Sequence, residues 1–279
     1  MLSSPTFKLL KYDLKATSRL IIPITIISLV LGLISRILLG ISTKQTIDSF
    51  NFNTSLTYMF TGLATMLVFF MLIILSIVIF WVIVTNFWSS LFSDEGYLYH
   101  TLPVKPYQLL LSKLLCANIW QIIMLFVIII FTAGALTLIP KEEIMSFINN
   151  FSSIMTEIPY EDAIKLVNMI IMYAILAFLS VNVQYLTIFM SMAAGQLVNE
   201  HKKLVSFGCY IGISIGIQAI SQSLTAMFLI TPNTQANTYN YYTDILFYPQ
   251  IILIIINLAI CISLFMGISY IFKNKLNLE

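Results

Sequence analysis

The stretch 113–141, KLLCANIWQIIMLFVIIIFTAGALTLIPK, has a lysine at each end and no charge between them. It is longer than the roughly 20 residues a helix needs to cross about 30 Å of hydrocarbon. Lipid offers no partners to backbone N–H and C=O groups, so such a stretch must close its own hydrogen bonds as a helix. Intervals of the same kind, free of Asp, Glu, Lys and Arg, run from Asp48 to Asp94, Lys165 to Glu200, Lys203 to Asp244 and Asp244 to Lys273. A sixth apolar segment, Leu20 to Gly40, follows Arg19 and is broken only by Arg36, near enough to its end for the guanidinium to snorkel to the interface.

Working outward, the chain reads as an all-α polytopic membrane protein with six transmembrane helices. The expected spans are 20–40, 58–85, 114–139, 166–190, 204–230 and 248–272. Composition agrees: of 279 residues only 9% are charged, 59% are hydrophobic, and mean hydropathy is +0.95. Soluble chains carry about a quarter charged residues. The longest polar interruption, Lys141 to Lys165, is too short for an ATPase or kinase domain, so 1–279 is read as one transmembrane domain. Leu20 to Gly40 is too long for a signal-peptide core and is followed by further spans. Cys116, Cys209 and Cys261 fall inside expected spans without metal-type spacing and read as packing residues.

Cations set the expected orientation. Lys8, Lys11, Lys15, Arg19, Lys105, Lys113, Lys202, Lys203, Lys273 and Lys275 fall on one side, and Arg36, Lys44, Lys141 and Lys165 on the other. Cytoplasmic loops hold the excess of Lys and Arg, which predicts cytoplasmic N- and C-termini in a multi-pass plasma-membrane protein.

Between the spans, Ser4 to Arg19 predicts an amphipathic helix on the membrane surface. Ser4 caps it, Pro5 suits the first helical position, and its cations lie beside a Phe7, Leu10, Leu14 stripe. It reads as an anchor for the first span or as an elbow that transmits motion. The loop 86–112 carries Asp94, Glu95, Gly96, Pro103 and Pro106 among aromatics, which suits either docking against a protein or anchoring at the headgroups. His100 and His201 have no ligand set around them and read as solvated loop residues, with no metal site. Ile144, Phe147, Ile148, Phe151, Met155 and Ile158 recur at helical spacing, for a helix resting on the outer leaflet or capping the bundle.

Within the expected spans there is no Asp, Glu or Lys, although proton- or sodium-driven carriers usually need such groups for coupling. Neutral amides occur instead: Asn118 and Gln121, Asn182 and Gln184, Gln218 and Gln222, and Asn257. They read as interhelical hydrogen-bonding groups or as the lining of a polar cavity for an amphiphile. Gly208, Gly212 and Gly216 form a close-packing face, within the protomer or between two protomers. No convergent catalytic set lies in the spans, so an enzyme is not expected.

Three stretches carry a resemblance. SDEGYLYHTLPVKPYQLLLSKLL, Ser93 to Leu115, resembles the cytoplasmic loop between the second and third spans of bacterial type-2 ATP-binding-cassette permeases. LLKYDLKATSRLIIP, Leu9 to Pro23, is similar to their amino-terminal elbow, and GQLVNEHKKLVSFGCYIGISIGIQ, Gly195 to Gln218, to their fourth-to-fifth loop and fifth span. The resemblance implies six spans per protomer, a homo- or heterodimer of permease protomers in the bilayer, and two cytoplasmic ABC ATPase subunits that bind ATP and Mg. It implies export of an amphipathic peptide, drug or lipid, and no nucleic-acid partner. It would place Asp94, Glu95, Gly96, Tyr97, Leu98 and His100 in an ATPase-coupling region, with Pro103, Lys105 and Gln108 shaping the return into the third span. Gln196, Glu200 and His201 would form a secondary cytoplasmic contact. One departure stands out: the longer external stretch lies between the third and fourth spans, whereas in G-subfamily relatives it precedes the sixth. With no G-x-x-x-x-G-K-[ST] motif, no cofactor is expected in this chain, and ATP hydrolysis would fall to the partner. The alternative is a membrane anchor, sensor or immunity subunit of such a complex that moves nothing.

Overall fold

The computed structural model describes residues 5–45, 52–92, 104–136, 141–157, 160–198, 201–229 and 238–274. They form α1 (Pro5–Gln45), α2 (Phe52–Phe92), α3 (Pro106–Leu136), α4 (Lys141–Glu157), α5 (Tyr160–Gly195), α6 (Lys202–Leu229) and α7 (Thr238–Asn274), with no strand among the described residues. All but α4 are long and apolar enough to cross a membrane, over Pro5–Ile34, Met66–Phe92, Pro106–Thr132, Ile164–Gly195, Lys202–Ala226 and Pro249–Asn274. The protein is an all-α polytopic membrane protein.

The spans differ from expectation at one end of the bundle. α2 runs on to Phe92 and α3 starts at Pro106, so helix takes up much of the expected 86–112 loop. The cause is packing, because Phe87, Leu91, Leu109 and Leu110 are all buried. Aromatic Phe87 is therefore a core residue rather than part of a docking surface or headgroup belt.

The amino-terminal stretch is helical as expected and is continuous with the first span, since α1 runs unbroken from Pro5 through Pro23. Buried Leu9, Leu10, Asp13, Thr17, Ile21, Thr25 and Ser28 recur at three- and four-residue steps, making one stripe common to both parts. Lys8, Lys11, Lys15 and Arg19 stay exposed. Phe7, expected beside Leu10, is exposed as well.

The chain divides into two compact units. Phe7–Asn86 and Leu115–Ser153 make one; Met1–Thr6, Phe87–Leu114 and Ile154–Glu279 make the other. In the first, α1 and α3 are joined at two levels. Trp120 Nε1 donates to Thr17 Oγ1 at 2.8 Å, Thr17 Oγ1 donates to the Asp13 carbonyl at 2.9 Å, and Cys116 Sγ lies 3.8 Å from the same hydroxyl. Further along, Gly32 lies against Phe131 so closely that a Cβ would fall within its ring. Small residues and side-chain hydrogen bonds are the usual means of helix association in lipid, where apolar burial supplies no drive.

In the second unit α5, α6 and α7 pack together. Gln184 Nε2 donates to Tyr210 Oη at 2.8 Å, the Cys261 thiol lies 3.9 Å from the Leu179 carbonyl, and Gly267 faces Met190. On α4, Met145, Phe147, Ile148 and Phe151 are exposed among the described residues.

Candidate functional site

Two features of the second unit are candidates for function: the helix ends that flank residues 93–103, and a cleft among α5, α6 and α7. Asp94, Glu95, Gly96, Tyr97, Leu98, His100 and Pro103 lie outside the described residues, as does Glu200. The flanking helices, α2 ending at Phe92 and α3 starting at Pro106, are described.

On the α2 side, Phe87 stacks on Phe189 of α5 with centroids 3.8 Å apart and planes 7° apart. Phe272 of α7 lies 6.4 Å from Phe87 and 6.1 Å from Phe92, and Trp88 meets Phe92 edge-on at 5.6 Å. Phe87 and Phe189 are fully buried. The last turn of α2 is thus held against two other helices at the point where the loop leaves it. Aromatic pairs of this kind add about 0.5–1.5 kcal/mol beyond area burial.

On the α3 side, the sequence KPYQ builds the start of the helix. Lys105 is the cap residue, Pro106 occupies the first helical position where its missing N–H costs nothing, and Gln108 Oε1 accepts from the Lys105 backbone N–H at 3.3 Å. The Lys105 carbonyl accepts in return from Gln108 N at 2.9 Å. Lys105 Nζ stands 6.0 Å from the centre of the Tyr107 ring. Lys105 and Gln108 therefore act as one unit.

A second turn lies at the same end of this unit. Gln196 N donates to the Ala193 carbonyl at 3.3 Å, and the His201 carbonyl accepts from Leu204 N and Val205 N to open α6. His201 takes φ 54°, the left-handed region, at about 1 kcal/mol or more for a non-glycine residue. Gly195 is needed here, because a Cβ would collide with the Ser206 hydroxyl that donates to the Lys202 carbonyl at 2.8 Å.

Two charged residues just outside the expected span limits are buried. Asp13 is 2% and Lys113 3% exposed, and both fall within helices long and apolar enough to span. Neither is without a partner. Pairing is what a buried charge requires, since isolation costs several kcal/mol. Sequence reading placed the span limits by the charges themselves, which hid both residues.

The amides go to different places. Asn182 Nδ2 donates to the Phe178 carbonyl, Gln184 joins α5 to α6, Asn118 and Gln121 are both engaged, and Gln218 and Gln222 are exposed. Gly208, Gly212 and Gly216 are exposed, and a Cβ on any of them would meet nothing among the described residues.

The cleft has a volume of about 310 Å³ and is lined by Tyr173, Leu176, Ala177 and Ser180 of α5, Ile217 and Ser221 of α6, and Leu253, Asn257 and Ile260 of α7. Of the amides noted in the sequence, Asn257 faces it. Gln250, on the same stripe of α7 one turn before Leu253, is 3% exposed, and among the described residues neither its Oε1 nor its Nε2 has a hydrogen-bond partner. Leaving a buried amide unpaired costs about 1–3 kcal/mol. Among the described residues no cluster of His, Cys, Asp and Glu is suited to a metal.

Compared with protein-family models, curated proteins and solved structures, the chain finds no match.

Proposed function

We propose that this chain is the membrane-spanning permease subunit of an ATP-driven exporter that moves an amphipathic peptide, drug or lipid. In this reading 93–103 faces the cytoplasm, and a partner ATPase pushes on it. A second permease protomer completes the complex, and both termini are cytoplasmic. The supporting observation is the rigidity of the loop's two roots: the Phe87–Phe189–Phe272 stack on one side and the Gln108-capped start of α3 on the other. A force applied at Asp94 and Glu95 would reach α2, α5 and α7 through packed rings rather than dissipate in a slack connector. Ten of the fourteen cations fall on the side assigned to the cytoplasm, and the 93–115 resemblance points the same way.

The buried Asp13 and Lys113 sit near the ends of their spans toward the side assigned to the cytoplasm, where a pump would need titratable groups along the pathway. They read as structural ions, and the energy source remains external. The test is charge reversal at both acids, Asp94→Lys with Glu95→Lys, in the protein co-expressed with its ATPase and reconstituted in vesicles. ATP-dependent accumulation of a hydrophobic peptide should fall at least about tenfold, consistent with lost charge-assisted contacts of about 1.5–3 kcal/mol. Unchanged accumulation contradicts the coupling role. Binding without accumulation in the unaltered protein identifies a sensor instead.

A further inference from the structure

The cleft among α5, α6 and α7 has a polarity that selects a ligand. All its lining residues fall within the stretches Ile164–Gly195, Lys202–Ala226 and Pro249–Asn274, each long and apolar enough to cross a membrane, which suits occupants drawn from the bilayer. Ser180 Oγ donates to the Ala177 carbonyl at 2.8 Å, and Ser221 Oγ donates to the Gln218 carbonyl at 3.0 Å. With those protons committed, both hydroxyls offer the cleft acceptor lone pairs alone. Asn257 Nδ2 donates to the Leu253 carbonyl at 2.8 Å, leaving Oδ1 as an acceptor beside one remaining N–H. The rest of the lining is Leu176, Ala177, Ile217, Leu253 and Ile260, with the Tyr173 ring.

Among the described residues no Lys, Arg, Asp or Glu lines the cleft, so an ionic head would meet no counter-charge there, and a bare charge is costly within a membrane span. A neutral donor meets up to three acceptors. The volume of about 310 Å³ stands at the lower limit of small-molecule sites, room for one chain and a small head rather than for a folded peptide. Gln250 gives one end of the α7 stripe a buried amide that finds no hydrogen-bond partner among the described residues.

We infer that this cleft is a binding site for an uncharged amphiphile whose head donates a hydrogen bond, an alcohol or a secondary amide on a hydrocarbon chain. The site does not rest on ATP coupling, and its test needs no ATPase, so its failure leaves the exporter reading to be judged by its own experiment.

The test uses the full chain in phosphatidylcholine nanodiscs and three photoreactive probes with one alkyl chain, ending in a hydroxyl, a methyl ether or a carboxylate. Labelled peptides are mapped by mass spectrometry. The hydroxyl probe should label 173–180 and 253–260 about fivefold more than the ether or the carboxylate, the worth of roughly one hydrogen bond. Asn257→Leu should lower that labelling about fivefold, and Ser180→Ala with Ser221→Ala should do the same. Ser223→Ala, which removes an equivalent exposed hydroxyl of α6 outside the cleft, should leave it unchanged. Competition by dioleoylglycerol would assign the ligand to bilayer lipids, and competition by N-dodecylacetamide alone to single-chain amphiphiles. Equal labelling by all three probes, labelling that survives both sets of substitutions, or competition by neither compound overturns the proposal.

Discussion

Single atoms decide where two of these helices touch. Thr17 gives its proton to the Asp13 carbonyl and takes one from Trp120, joining α1 to α3 through one hydroxyl. Trp120→Phe keeps most of the ring and removes that donor. It should lower stability by about 1 kcal/mol in thermal unfolding in detergent, the scale of a membrane interhelical hydrogen bond. Glycines separate just as sharply. Gly32→Leu drives a side chain into Phe131 and should cost about 2 kcal/mol or more, whereas Gly212→Leu on the open face of α6 should stay within about 0.5 kcal/mol in the isolated protomer. The same unfolding measurement reads both. The Gly208, Gly212 and Gly216 spacing was visible in the sequence, but spacing does not say which glycine face has a neighbour. Gly32, with no partner glycine four residues away, gave no such signal and is closely packed against Phe131.

Among elements, the aromatic stack at the end of α2 is the clearest device. Phe87→Ala removes a fully buried ring from between α5 and α7 and should cost about 3 kcal/mol. A loss below about 1 kcal/mol in thermal unfolding would show that the stack does not hold that end of α2. Sequence reading put Phe87, Trp88 and Phe92 in a loop because it ended the span near Thr85, where polar residues begin. Helix continues for two further turns because Phe87 and Leu91 find a packed neighbourhood, which hydropathy alone does not encode. The return into α3 was more legible: Lys105, Pro106 and Gln108 carry standard cap chemistry, and the structure forms that cap. The amphipathic start of α1 was read as a separate surface helix because its cations face one way. Its opposite face carries Asp13 and Thr17 into a buried stripe, so charge pattern and burial pattern belong to different sides of one continuous helix.

At the level of the whole molecule, five of the six long apolar helices were legible from uncharged intervals and the sixth from an apolar segment broken only by Arg36, because lipid tolerates no other way of satisfying the backbone. The cleft was not legible, since it depends on which faces of α5, α6 and α7 meet; from the sequence, Asn257 was one amide among seven. Orientation carries the functional reading, for only a cytoplasmic 93–103 loop can meet an ATPase. Cysteines introduced as Ser93→Cys and, on α4, Ser152→Cys should therefore respond oppositely to a membrane-impermeant maleimide. The account predicts that intact cells label Ser152→Cys and spare Ser93→Cys, and that inside-out vesicles reverse the pattern. Labelling of Ser93→Cys in intact cells would contradict it.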